Sequence, residues 1–110
     1  RLVGLQRATA LAYLGTPVTA VDAAAMGMIH QAFPAEAFAK ETMALAQQLA
    51  NMPTRGLALT KAAFNRAFEQ GFSAQLDTEL ELQGAASRTR DYQEGVASFL
   101  EKRKPTFEGH

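Results

Sequence analysis

The chain has 110 residues, close to the size of one domain, and length alone predicts one compact unit with about two-thirds of its extended-chain surface buried. Eleven basic and eleven acidic residues cancel, leaving no long-range field to draw the chain onto nucleic acid or an anionic membrane. No cysteine is present, which removes disulfide frameworks, Cys-based metal sites and thiol nucleophiles and fits a reducing compartment. No apolar run approaches the roughly 20 residues that span a bilayer, and no charged segment leads into an apolar signal core. A cytoplasmic protein is expected, without nucleic-acid or membrane partners, and its start at Arg1 reads as a piece of something longer.

Helix-forming residues dominate and apolar residues recur at helical spacing, so the expected fold is all-α: about five or six helices with at most one short extended segment. The first helix is predicted over Leu5 to Leu14, stopped by Gly15 with Pro17 beyond. Thr19 reads as an N-cap with Asp22 three residues on, opening a short helix that ends at Gly27. Met28 to Phe33, bounded by Gly27 and Pro34, is too short for a stable helix and is expected to be extended. Ala35 to Asn51 places Phe38, Leu45, Ala46 and Leu49 on one stripe, and Pro53 closes it. Thr54 then caps a helix carrying Leu57, Phe64 and Phe68 and ended by Gly71; Ser73 caps another through Leu76, Leu80 and Ala86. Thr89 caps the last helix, with Asp91 and Glu94 near its positive end, Lys102, Arg103 and Lys104 near its negative end, and Pro105 as the stop. There Tyr92, Val96, Phe99 and Leu100 share a face, and Gly95 points to a close backbone approach.

Composition and periodicity go no further than a helical domain, but the wording of the chain does. Arg1-Leu2-Val3-Gly4, Val18-Thr19-Ala20 with Met26-Gly27-Met28-Ile29, and Gly56-Leu57-Ala58-Leu59-Thr60-Lys61 follow one another along the chain. Asp91-Tyr92-Gln93-Glu94-Gly95-Val96 and then Phe99-Leu100-Glu101-Lys102-Arg103-Lys104-Pro105-Thr106-Phe107 complete the series. In order and approximate spacing these phrases resemble the crotonase (enoyl-CoA hydratase/isomerase) superfamily, over nearly the whole chain. The resemblance implies that residues 1–110 are the C-terminal helical (oligomerisation) domain of a crotonase-like subunit, with the catalytic carboxylates and oxyanion hole upstream of Arg1 and no catalytic residue here. It implies a parent enzyme, lyase or isomerase, acting on acyl-CoA thioesters, with no covalently bound cofactor and with assembly as a homo-oligomer, trimer or hexamer. The chain alone is expected to be inactive. The resemblance also implies that the last helix closes over the adenine and phosphate end of coenzyme A through Phe99 and Lys102, the aromatic ring packing on adenine and the ammonium meeting phosphate. The phrases around Gln83-Gly84 and Asp91 to Val96 are most similar to members acting in phenylacetate-type CoA pathways.

Plainer roles compete for each residue. Phe99 also falls on the Tyr92, Val96, Leu100 stripe of a core or interface, and Lys102 is one of several cations at a helix end. His30 reads as a hydrogen-bonded filler, His110 is terminal, Asp77 with Glu81 as a solvated helix edge, and Lys61 as an internal cap or ion-pair partner. No metal-ligand set is expected. The alternative to an enzyme segment is a stand-alone helical protein-interaction module. A helix-turn-helix over Thr16 to Ile29 is disfavoured because that stretch has no basic residue for phosphate.

Overall fold

Six helices form where the caps and stops allow them in the computed structural model, which describes residues 1–110: α1 Leu5–Leu14, α2 Ala20–Ala25, α3 Ala35–Ala50, α4 Thr54–Ala67, α5 Phe72–Ser87 and α6 Arg90–Leu100. Their contacts cluster into two compact units, Arg1–Thr42 and Met43–His110, where length suggested one core. No helix is long and apolar enough to cross a membrane.

In the first unit α1 stops at Gly15, whose φ of 61° is left-handed and whose N–H reaches the Leu11 carbonyl at 3.1 Å. Thr19 caps α2 by accepting from the Asp22 N–H at 3.1 Å, and its hydroxyl donates to Asp22 Oδ2 at 2.6 Å. α2 ends in a Schellman turn around Gly27 (φ 78°), with the Met28 N–H on the Ala23 carbonyl at 2.9 Å. Met28 to Phe33, expected to be extended, forms no strand: residues 28–30 bend and the chain runs irregularly to α3. The reason is local, because a strand needs a partner ladder and the Met28 and Ile29 N–H groups are both spent on Ala23.

In the second unit α4 packs on α5 and α5 on α6. Two predicted caps are displaced. Pro53 rather than Thr54 is the N-cap of α4, its carbonyl accepting from the Leu57 N–H at 3.0 Å. Gly71, read as the stop of α4, is the N-cap of α5, which starts at Phe72 and so leaves Ser73 inside the helix. The α4–α5 turn is held by Gln70 Nε2, which donates to Gln75 Oε1 at 2.7 Å and to the buried Thr78 hydroxyl at 2.8 Å.

Very little of this sequence finds an apolar interior. Ala23 is the only buried apolar residue, whereas Phe64, Phe68, Phe72, Leu80 and Phe99 all stand in solvent. The chain exposes 8773 Å². Two independent globules of 42 and 68 residues would together expose about 7,100 Å² by the usual surface scaling, so the excess does not depend on how the units are placed. Apolar surface this extensive is uncommon on a monomeric soluble protein.

Candidate functional site

The candidate site lies on α6. Thr89 caps it, accepting from the Tyr92 N–H at 3.1 Å while its own hydroxyl donates to the Ala86 carbonyl at 2.7 Å. The other end closes in a second Schellman turn: the Lys102 N–H meets the Phe99 carbonyl at 3.3 Å and the Arg103 N–H the Ser98 carbonyl at 3.0 Å. Gly27 takes the left-handed place in the α2 turn, but here a lysine takes it, Lys102 at φ 55°. It is the one non-glycine residue with positive φ in the chain.

The cations of this turn have different duties. Arg103 forks onto Glu94, Nη1 to Oε1 at 2.5 Å and Nη2 to Oε2 at 2.8 Å, and its Nε donates to Glu101 Oε2 at 2.6 Å. That fork, with the Thr106 N–H on Glu94 Oε1 at 2.8 Å, lowers the Glu94 pKa to about 2 and raises that of Arg103. Lys102 makes no ion pair and its side chain is in solvent.

Beside the turn lies an open apolar groove of about 500 Å³, whose walls include Pro53, Tyr92, Val96, Phe99, Leu100 and Phe107. The volume is within the range of about 300–1,000 Å³ common to small-molecule sites. Phe99 is 82 % exposed on its wall, so the stripe Tyr92, Val96, Phe99, Leu100 is a groove face and not a core face within this chain. Lys102 does not line the groove. The spacing of three between the two residues does not make them neighbours on a helix face, because α6 ends at Leu100 and Lys102 has left helical geometry.

The remaining candidates scatter. His30 is exposed on a bend in the first unit without a hydrogen bond, unlike the satisfied filler expected. Glu81 pairs loosely with Arg66 at 3.6 Å and Asp77 stands in solvent, a solvated edge. Lys61 is exposed, and His110 Nε2 lies 3.4 Å from Glu108 Oε2. Sequence reasoning took Asp91 and Glu94 for favourable charges at a helix start, yet both are hydrogen-bonded to the tail that follows α6. Pro105 and Gly109 mark that tail as non-helical, but nothing in a single sequence shows that it folds back.

Residues 1–110 match the profile of the family described as enoyl-CoA hydratase/isomerase. The chain is 44 % identical over 109 residues to the 1,2-epoxyphenylacetyl-CoA isomerase of Escherichia coli K12, a match covering 99 % of this chain and 42 % of that protein. With the 2,3-dehydroadipyl-CoA hydratase of the same strain the identity is 30 % over 109 residues, covering 99 % and 43 %. Among solved structures, an enoyl-CoA hydratase from Geobacillus kaustophilus HTA426 superposes with a TM-score of 0.92 at 31 % identity, covering 99 % of this chain and 41 % of that one. The chain thus spans about two-fifths of the length of the relatives it matches. The assignment of residues 1–110 to a C-terminal helical domain of a crotonase-like subunit is overturned by these matches. The family profile runs through the chain from end to end, so the segment is part of the matched family region and is not set apart from it as a C-terminal domain. The placement rests on the order of the resembling phrases, and phrases that run with the family profile over the whole chain do not mark off a separate C-terminal domain.

Proposed function

We propose, since this chain belongs to the enoyl-CoA hydratase/isomerase family, that it is a segment of an enzyme that hydrates or isomerises acyl-CoA thioesters. Within that enzyme the end of α6 meets the adenine and phosphate end of coenzyme A. Phe99 offers its ring from the groove wall, and Lys102 offers an ammonium that no carboxylate of the chain neutralises. The observation that carries this reading is the turn itself. A lysine stands where a Schellman turn favours glycine, while the arginine beside it is engaged by two glutamates. Locally unfavourable residues of this sort are found where a side chain is needed. The exposed rings of α4 and α5 support a second role, packing against other parts of the enzyme or against neighbouring subunits of a homo-oligomer. The identity to an epoxyphenylacetyl-CoA isomerase favours an aromatic acyl group over a simple aliphatic one.

In this reading the 110 residues supply ligand contact and packing surface and are inactive alone. The full-length protein that carries them, incubated with crotonyl-CoA and with a 3-enoyl-CoA, is expected to turn over at least one, and to sediment as an assembly larger than a monomer. Absence of turnover on aliphatic and aromatic enoyl-CoA thioesters alike would overturn the assignment.

A further inference from the structure

The residues beyond α6 are bound along it by their backbone. Thr106 gives its N–H to Glu94 Oε1 at 2.8 Å, Glu108 to Asp91 Oδ1 at 2.7 Å and Gly109 to Asp91 Oδ2 at 2.8 Å. In return the Asp91 N–H donates to the His110 carbonyl at 3.1 Å. Asp91 is 3 % exposed, so both oxygens of a buried carboxylate are occupied by this strap. Asp91 and Glu94 stand three apart, one above the other on α6.

The strap has a consequence for the groove. Phe107 lies between two of the bonded N–H groups, and its Cε1 comes 3.8 Å from the place a Cβ on Gly95 would occupy. Its ring therefore packs beside Gly95 and is one wall of the groove that Phe99 also lines. Gly109, at φ 84°, passes so close to the start of α4 that a Cβ there would meet the Thr54 hydroxyl at 2.6 Å. The tail is thus bonded to α6 on one side and passes against the start of α4 on the other. The Arg103–Glu94 fork holds the turn that carries Lys102 by the same carboxylate that holds Thr106.

We infer that Asp91 and Glu94 are positioning residues for the coenzyme A contact: they strap residues 104–110 across α6, raise the Phe107 wall of the groove, and fix the turn bearing Lys102. The inference rests on the reading of Phe99 and Lys102 as coenzyme A contacts. An aspartate accepts both N–H groups, whereas an asparagine offers one oxygen and turns an NH₂ toward the other donor. Asp91→Asn therefore releases the strap while nearly preserving side-chain shape. Gly109→Val releases it from the opposite side and leaves the carboxylates of α6 untouched.

The test uses the full-length protein, with amide exchange over residues 104–110 and steady-state kinetics on one acyl group carried either by coenzyme A or by pantetheine. Both variants are expected to speed exchange in the strap at least tenfold. Both should raise KM for the CoA thioester by about the factor seen with Phe99→Ala, with kcat and the pantetheine KM held. If Phe99→Ala raises KM and the strap variants do not, the positioning role fails while the coenzyme A reading stands. Exchange that stays slow in both variants refutes the strap itself, and a Phe99→Ala protein with unchanged KM removes the coenzyme A reading and this inference together. Should Asp91→Asn fail to fold, the Gly109→Val arm decides alone by the same outcomes.

Discussion

Replacing Lys102 by glycine and by alanine separates what its charge does from what its backbone costs. A non-glycine residue in the left-handed region costs about 1–2 kcal/mol, and Lys102 sits there at φ 55°. Glycine removes that strain but gives the unfolded chain more freedom, worth about 0.4–1 kcal/mol against the substitution. Lys102→Gly should therefore stabilise the end of α6 by about 0.5–1 kcal/mol, raising the folded-to-unfolded ratio roughly two- to fivefold. Lys102→Ala keeps the strain and should stay within about 0.5 kcal/mol of the parent. Urea unfolding of the full-length protein reads both as midpoint shifts at unchanged slope. Each variant loses the ammonium, so each should raise KM for CoA thioesters a few-fold despite their different stabilities. A glycine variant less stable than the alanine variant would refute the strained-turn reasoning, and KM values that follow stability rather than charge would refute the role of the ammonium.

Gly109→Ala should destabilise by more than about 1 kcal/mol, because it meets both a left-handed φ of 84° and a contact of 2.6 Å with Thr54. Gly95→Ala, whose new Cβ finds only the Phe107 ring at 3.8 Å inside a helix, should stabilise by about 0.5–1 kcal/mol; urea midpoints of opposite sign check the pair. Glu94 has a folded pKa of about 2 against a usual 4.5, so its contribution is complete above the usual value and is lost as pH falls through about 2. Protection of the Thr106 N–H, taken relative to the intrinsic exchange rate at each pH, should fall across that window, and Glu94→Gln should remove that change. Thr19→Ala and Thr89→Ala should each cost about 1 kcal/mol as lost caps, whereas Thr42→Ala and Thr60→Ala, whose hydroxyls only bond carbonyls of their own helices, should be close to neutral in thermal melts.

What was legible in the sequence was local. Thr19 with Asp22, Gly15, Gly27 and Thr89 act within four residues of themselves, and α1, α2 and α6 start or stop where those residues dictate. The starts of α4 and α5 were misread because proline and glycine serve both as stops and as N-caps: Pro53 opens α4 and Gly71 opens α5, and Gln70 holds the α4–α5 turn by side-chain bonds that no periodicity announces. The position of the segment within a longer protein was inferred from the order of the resembling phrases, and those phrases belong to a family profile that runs through the whole chain, so they did not fix it. Phe99 and Lys102 came to notice by resemblance alone. Their surroundings came from the fold, because the strap depends on contacts between residues 17 and 18 positions apart. The apolar stripes predicted a core, but a stripe shows only that a face is to be covered and not that this chain covers it.

The most direct measurement of the coenzyme A assignment is the KM of Phe99→Ala and Lys102→Ala full-length protein for matched CoA and pantetheine thioesters at low and high salt. Adenine and phosphate contacts are made about equally in ground and transition states, so KM for the CoA thioester should rise with kcat nearly unchanged and the pantetheine KM constant. The lysine effect should shrink with salt while the phenylalanine effect persists. Equal loss of affinity for both thioesters would make these residues structural and contradict the assignment.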